Sequence, residues 1–286
     1  NGIEYGLEQI LSEAYDLMKR VSNMSCSEIS EVFGRWNQTE ELSSYLVEIT
    51  EICLRKKDDR SGDAVVEKIL DKAGQKGTGL WTVVSALELG VSVPTIYASL
   101  NARVMSSLKD QRKELEKTLP ITINKKFELG NISNAMKPLF DAVVLSTIAS
   151  YAQGMDILKE ASKEYNYKLD MPSIAQIWKG GCIIRSKLLK RIQDAYKKDP
   201  NLKNLIFDDW FNNEVANKIG NLSYVVSSAS DAGIPVPCLS STLDYLNSYR
   251  TSRLPQNLVQ AMRDCFGSHT YERIDIDGTY HTEWLQ

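Results

Sequence analysis

Histidine is nearly missing from this chain. Two of 286 residues are histidine and no CxxC spacing accompanies them, so no zinc or other metal centre is expected. The cysteines, Cys26, Cys53, Cys182, Cys238 and Cys265, are scattered, odd in number and free of any CxxC spacing. Reduced thiols in a cytoplasmic protein are expected rather than a disulfide framework. Neither sign of charge dominates: 34 Lys and Arg stand against 37 Asp and Glu, a net −3. That balance gives no general attraction to nucleic acid or to an anionic membrane. Any anion site must then be a local gathering of positive charge. There is no signal peptide and no uncharged apolar run of membrane-spanning length. The chain has no opening methionine and enters a helical pattern at Asn1, which reads as a fragment with an upstream portion outside this sequence. Strand signal is almost absent, so the fold class is all-α.

Helical periodicity is abundant. Ile3, Leu7, Ile10, Leu11, Ala14, Leu17, Met18 and Val21 mark one amphipathic helix to about Arg20. Asn1, Glu4 and Tyr5 stand at i, i+3 and i+4 and share a face beside its core stripe. Glu4 reads either as a first-turn acid favouring the helix dipole or as a carboxyl group aimed into a cleft. Ser25 or Ser27 caps a second helix through Phe33, and Thr39 or Glu40 opens a third to about Arg55. Val65 to Asp71 is a short helical approach. A helix from Trp81 to Leu89 ends at Gly90, and Pro94 starts another that runs through Arg103 to about Lys117. Leu119 to Gly130 is a connector. Pro138 to Tyr165 is apolar on most sides, as a buried central helix would be.

The stretch Asp71-Lys72-Ala73-Gly74-Gln75-Lys76-Gly77-Thr78-Gly79-Leu80-Trp81 carries the strongest chemistry. Its glycines let backbone N–H groups approach an anion, Lys76 adds a point charge, Thr78 adds a hydroxyl, and the next helix points its N-terminus back at the loop. This is an anion cradle, most simply for phosphate, or else a glycine-rich turn with a solvated lysine. It is not a Walker A loop, since no Gly-Lys-Ser/Thr occurs.

The chain also repeats itself. Trp81 to Ile96 parallels Tyr224 to Leu239, with Gly90, Val93 and Pro94 falling on Gly233, Val236 and Pro237. This implies a helical duplication around the long helix: a first repeat over about 1–118, a second over about 131–262 and a tail over about 263–286. The glycine–lysine loop occurs in the first copy alone. In the tail, residues 274–284 alternate but are too short for a sheet, and Tyr280 and Trp284 suit docking on another surface, a partner subunit included.

The loop Asp-x-x-Gly-Gln-Lys-Gly-Thr-Gly-x-Trp resembles the signature of the decarboxylating 6-phosphogluconate dehydrogenases. The opening Asn1-Gly2-Ile3-Glu4-Tyr5, the run Ser150 to Gly154, the run Trp178 to Arg185 and the run Arg263 to Tyr271 are similar to further landmarks of that family. The resemblance covers essentially the whole chain and implies the α-helical substrate and dimerisation domain. The family's NADP-binding Rossmann domain would precede it. In such enzymes 6-phosphogluconate is oxidised at C3 by hydride transfer to NADP. The keto acid loses carbon dioxide, and the enediol is protonated to ribulose 5-phosphate in the pentose phosphate pathway. By motif position Glu4 matches the general acid. The general-base lysine would lie upstream of Asn1, so this chain alone should not turn over substrate. Asn1 would bond substrate hydroxyls, while Tyr5, Lys76 and Arg103 would surround the phosphate. Arg263 and His269 would reach the same substrate from the partner subunit of a homodimer. Read without the resemblance, Arg103 is a surface charge, Arg263 a helix C-terminal cation and His269 a loop histidine. A non-catalytic helical module that dimerises or binds a sugar phosphate is the alternative, and another β-hydroxyacid dehydrogenase a third.

Overall fold

The N-terminal apolar stripe becomes α1 (Gly2–Ser22), which lays Ile3, Leu7, Ile10, Leu11, Ala14, Leu17 and Met18 into the core. The computed structural model describes residues 1–121, 127–131, 134 and 136–285. They form two units, Asn1–Tyr245 and Leu246–Gln286. Among the described residues no helix is long and apolar enough to cross a membrane.

In the first unit α2 (Cys26–Trp36) starts at Ser25 in a reciprocal capping box with Glu28. The next helix, α3 (Tyr45–Arg55), begins at Tyr45 rather than at Thr39 or Glu40. Thr39 instead folds back, its hydroxyl donating to Trp36 O (2.8 Å) and accepting from Leu42 N (3.2 Å). Ser44 pairs with Ser186 as a β-bridge and caps α3 through Val47 N. A 3₁₀ turn (Val65–Lys68) leads to the glycine loop, followed by α4 (Thr78–Glu88) and α5 (Pro94–Ser107). The single helix expected from Pro94 to Lys117 is two, since the chain breaks at Leu108 before α6 (Lys109–Thr118). Neither proline nor glycine causes the break. Arg112 reaches back to Met105 O (3.1 Å), which also accepts Leu108 N (3.2 Å), and to Ser106 O (3.0 Å). Of the expected connector, residues 122–126 lie outside the described set.

The long central helix is α7 (Lys137–Glu164), with Leu139 to Asp156 buried almost throughout. It packs against α1 and α10 (Asp209–Asp231). Of its two buried acids, Asp141 and Asp156, Asp141 accepts from Asn221 of α10 (2.6 Å) and pairs with Lys137. Between them lie α8 (Met171–Ile177) and α9 (Leu188–Lys198), and α11 (Pro237–Tyr249) follows α10.

The two copies of the repeated motif make the same turn. Gly90 (φ 67°) and Gly233 (φ 71°) take the left-handed conformation that glycine adopts without strain. Val91 N donates to Ala86 O (2.8 Å), and Ile234 N donates to Ala229 O (2.9 Å). Pro94 and Pro237 then open α5 and α11, and Thr95 and Thr242 touch through their hydroxyls (3.0 Å). Each of these helix starts is capped from the opposite copy. Gln153 of α7 accepts Thr95 N and Ile96 N (both 3.2 Å), while Glu13 of α1 accepts Cys238 N (2.8 Å) and Leu239 N (3.0 Å).

The second unit holds α12 (Gln256–Gly267) and a minimal hairpin, β1 (Tyr271–Glu272) against β2 (Thr279–Tyr280). The alternating stretch pairs only at Thr279–Tyr280, and its earlier half forms the hairpin loop. Asp264, fully buried, gathers the tail: it accepts Thr270 N, Thr282 N and Trp284 Nε1, and meets His281 Nδ1 at 2.9 Å. Burial opposes its charge, but these donors hold the carboxyl well below the usual range.

Candidate functional site

A cavity of about 610 Å³ opens beside the start of α1. Asn1 and Glu4 stand on one wall and Thr78 and Trp81 of α4 on another. The floor is apolar, from Gly154 and Ile157 of α7 and from the Trp178–Ile184 segment. Asn1 is exposed and makes no side-chain cap, so its amide is open to a ligand. Glu4 is half-buried at the same mouth. A carboxyl group and an amide one helical turn apart, over an apolar floor, can transfer a proton and hold a hydroxyl at one small molecule.

The glycine loop reaches this cavity from the other side. Its Asp71 is an anchor: Lys109 and Arg112 (3.0 Å) both bind it, and the Lys109 contact, aided by Arg112 against burial, lowers its carboxyl to about 2. Ala73 N donates to Ser106 Oγ (3.0 Å), and Arg103 Nη1 donates to Gly74 O (2.9 Å). Gly77, at φ 91°, turns the chain into α4 and offers no side-chain cap, leaving that helix's first N–H groups to an outside acceptor. Gly79 is bare because a Cβ there would strike the ring of Tyr5. Lys76 is exposed, two residues from Gly74 and two from Thr78 of the cavity wall.

Tyr5 does not line the cavity. Its ring is buried among Val83, Ile96 and Leu100, with the Arg103 guanidinium 3.6 Å above its centroid. Arg103 is no surface charge. It is largely covered, stacked on Tyr5, bonded to the loop and ion-paired with Glu8. Burial raises the Glu8 carboxyl, against the pull of Arg103 and with a smaller push from Glu4. Asn1, Glu4 and Thr78 are therefore brought to one cavity, and Tyr5 and Arg103 to each other, with Lys76 on the loop between. Arg263 and His269 lie in the second unit, both exposed. Arg263 donates to Gln260 Oε1 (3.0 Å), and His269 sits edge-on to Phe266.

Two carboxylates escaped the sequence reading. Glu8, one turn after Glu4, was legible as a sharer of its face, but its ion pair spans 95 residues. Glu13 sits within the core stripe of α1, an odd place for an acid, and that was its signal. Burial pushes it up to about 7 against the Cys238 and Leu239 amides and the Gln9 side chain.

The model for the 6-phosphogluconate dehydrogenase C-terminal domain matches residues 1–284. The chain is 49% identical over 286 residues to the decarboxylating 6-phosphogluconate dehydrogenase of Synechococcus elongatus, covering 100% of this chain and 60% of that protein. It is 49% identical over 292 residues to the NADP(+)-dependent decarboxylating enzyme of Bacillus subtilis, covering 100% and 61%. Its fold is similar to that of Plasmodium falciparum 6-phosphogluconate dehydrogenase, at a TM-score of 0.94 and 43% identity over 99% of this chain and 61% of that one. That enzyme is described without ligand, with its cofactor NADP+ and with its substrate 6-phosphogluconate. This chain thus spans about 60% of the length of the curated relatives it matches.

Proposed function

The chain belongs to the family of 6-phosphogluconate dehydrogenase C-terminal domains, and we propose that it supplies the substrate-binding and dimerisation part of an enzyme that oxidises and decarboxylates 6-phosphogluconate to ribulose 5-phosphate and carbon dioxide. The observation that carries this reading is the meeting of Asn1, Glu4 and Thr78 at one cavity, beside the anchored loop that bears Lys76. Asn1 holds substrate hydroxyls. Glu4 gives its proton to the carbon of the enediol left by decarboxylation and is recharged from solvent at the cavity mouth. Lys76, the open start of α4 and Arg103 take the phosphate, whose dianion suits ammonium, guanidinium and helix N-terminus together. Tyr5 acts by seating Arg103. NADP accepts the hydride from C3, and we assign it no contact among these residues.

The exposed apolar face of α12, with Leu258, Val259, Met262 and Phe266, supports a homodimer. In that homodimer Arg263, His269 and the folded tail meet the partner's substrate. The enzyme works in the cytoplasm. A calorimetric titration of this chain with 6-phosphogluconate beside gluconate, at one ionic strength, tests the phosphate site: saturable binding of the phosphorylated acid alone is expected. In the complete enzyme Glu4→Gln is expected to cut kcat about a hundredfold or more with substrate affinity nearly unchanged. An unchanged kcat removes Glu4 from the acid role.

A further inference from the structure

A second cleft, of about 690 Å³, lies where α3 begins against the stretch that leads into α9. Its floor is backbone-paired. Tyr45 N donates to Arg185 O (3.1 Å) and Lys187 N donates to Ser43 O (2.9 Å), on either side of the Ser44–Ser186 bridge. Arg185, Ser186 and Lys187 line the cleft with Ser43, Ser44 and Tyr45, and the Ser186 hydroxyl also meets Tyr151 Oη (3.1 Å). Lys190, in the first turn of α9, and Lys179, just beyond α8, complete four cations around one space.

Their partners leave positive charge to spare. Arg185 lies flat on the Tyr45 ring, 3.6 Å from its centroid, and donates to Cys182 O (3.2 Å). Lys179 is held by two neutral amides, Gln176 and Gln193. Among the described residues neither these two cations nor Lys187 has a carboxylate partner, and Lys190 has only its helix neighbour Asp194. Burial and then Lys190 depress the Lys179 ammonium, a repulsion that a bound anion would relieve. Two carboxylates share the cleft. Glu40 is taken up by Arg191 through two contacts (2.7 and 3.1 Å), which leaves Glu48. In a chain of net charge −3 this is a built concentration of cations rather than a general property of the surface.

We propose that this cleft is a binding site for a small phosphorylated anion, separate from the cavity at Asn1 and Glu4. The stacked, pre-oriented guanidinium gives a planar fork, and the ammonium groups give point charges that suit the several oxygens of a phosphate. The start of α9, which has no side-chain cap, opens at the same place. The Trp178–Arg185 segment forms one wall of each cavity, with Trp178, Cys182 and Ile183 facing the first and Lys179 and Arg185 the second.

The test is calorimetric titration of this chain with pyrophosphate at fixed ionic strength. Wild type and Lys76→Ala are both expected to bind saturably, and in Lys76→Ala, where the other phosphate site is weakened, the cleft is read by itself. Added to Lys76→Ala, the double change Lys187→Gln/Lys190→Gln is expected to weaken binding about ten-fold, through the loss of two charge-assisted contacts. Both lysines are exposed. As a readout that needs no variant, pyrophosphate should protect Lys187 and Lys190 of the unaltered chain from acetylation and leave Lys163 labelled. The proposal is overturned by absence of saturable binding to wild type, by equal binding with and without the double change, by loss of binding in Lys76→Ala, or by unprotected Lys187 and Lys190. Citrate binding as tightly as pyrophosphate would overturn the assignment to phosphate.

Discussion

Counting back from the matched Trp81 and Tyr224, Gly77 of the first copy falls on Gly220 of the second, and the two glycines do opposite things. Gly220 sits inside α10, a helix of 23 residues that runs straight through. Gly77 ends a loop at φ 91° and starts α4, only 11 residues long. The first copy has in effect given up the opening turns of the helix that its counterpart keeps. What it gains is a helix N-terminus whose N–H groups have no intrahelical acceptor, with a lysine beside it. The lysine of the second copy near this point, Lys218, is buried against Glu214 of its own helix. The lesson is that two like turns hold the chain in the same way, while a local interruption of the helix before one of them makes the candidate phosphate site.

The caps show a second difference within the same likeness. The start of α5 receives a neutral amide, Gln153, and the start of α11 receives an acid, Glu13. One cap is blind to pH and the other is not. Because burial raises Glu13 from 4.5 to about 7, the stability it contributes is fully present below about 4.5 and is lost as pH rises through about 7.

The largest expected effect tests the caps. At pH 5, Glu13→Ala should cost about 3 kcal/mol by urea denaturation, and Gln153→Ala about 2, since each strands two buried helix N–H groups. Across pH 5 to 8 the wild-type unfolding free energy should fall, by up to about 3 kcal/mol. Glu13→Gln should flatten that fall, and a fall that persists in it would assign the titration elsewhere. Next in size, Lys76→Ala should weaken 6-phosphogluconate binding about thirty-fold, or ~2 kcal/mol, and leave the urea midpoint where it was. An equal loss of stability would make Lys76 a structural residue. The smallest pair sharpens the contrast most. Gly77→Ala should lose about 1 kcal/mol of stability to left-handed strain, read by urea denaturation. Gly220→Ala, exposed in mid-helix with open space around it, should gain about 1 kcal/mol in stability. The same sign at both glycines would break the comparison.

Much of this was legible beforehand, because it is local. The stripe of α1, a serine cap at Ser25 or Ser27, of which Ser25 is the one used, and the matched Gly-Val-Pro turns need only neighbouring residues to be read. The missed features depend on distant ones. Leu108 breaks a helix without a breaker, through contacts that Arg112 makes with carbonyls behind it. The start of α3 is set by a bridge to Ser186, far along the chain. At the site, the position of Glu4 was readable from helical spacing. The burial of Tyr5 under Arg103 was not, since spacing gives a face and not the partner that fills it.

The exchanged caps also bear on how the molecule comes apart. Each half carries the acceptor that the other half's helix start requires, so neither is self-sufficient. A chain divided ahead of α7 would give two fragments with mismatched needs, each exposing bare N–H groups that only its counterpart can satisfy. Such fragments should complement one another in solution rather than fold apart. The two halves are in this way mutually dependent, and Asn1–Tyr245 should melt in one cooperative step.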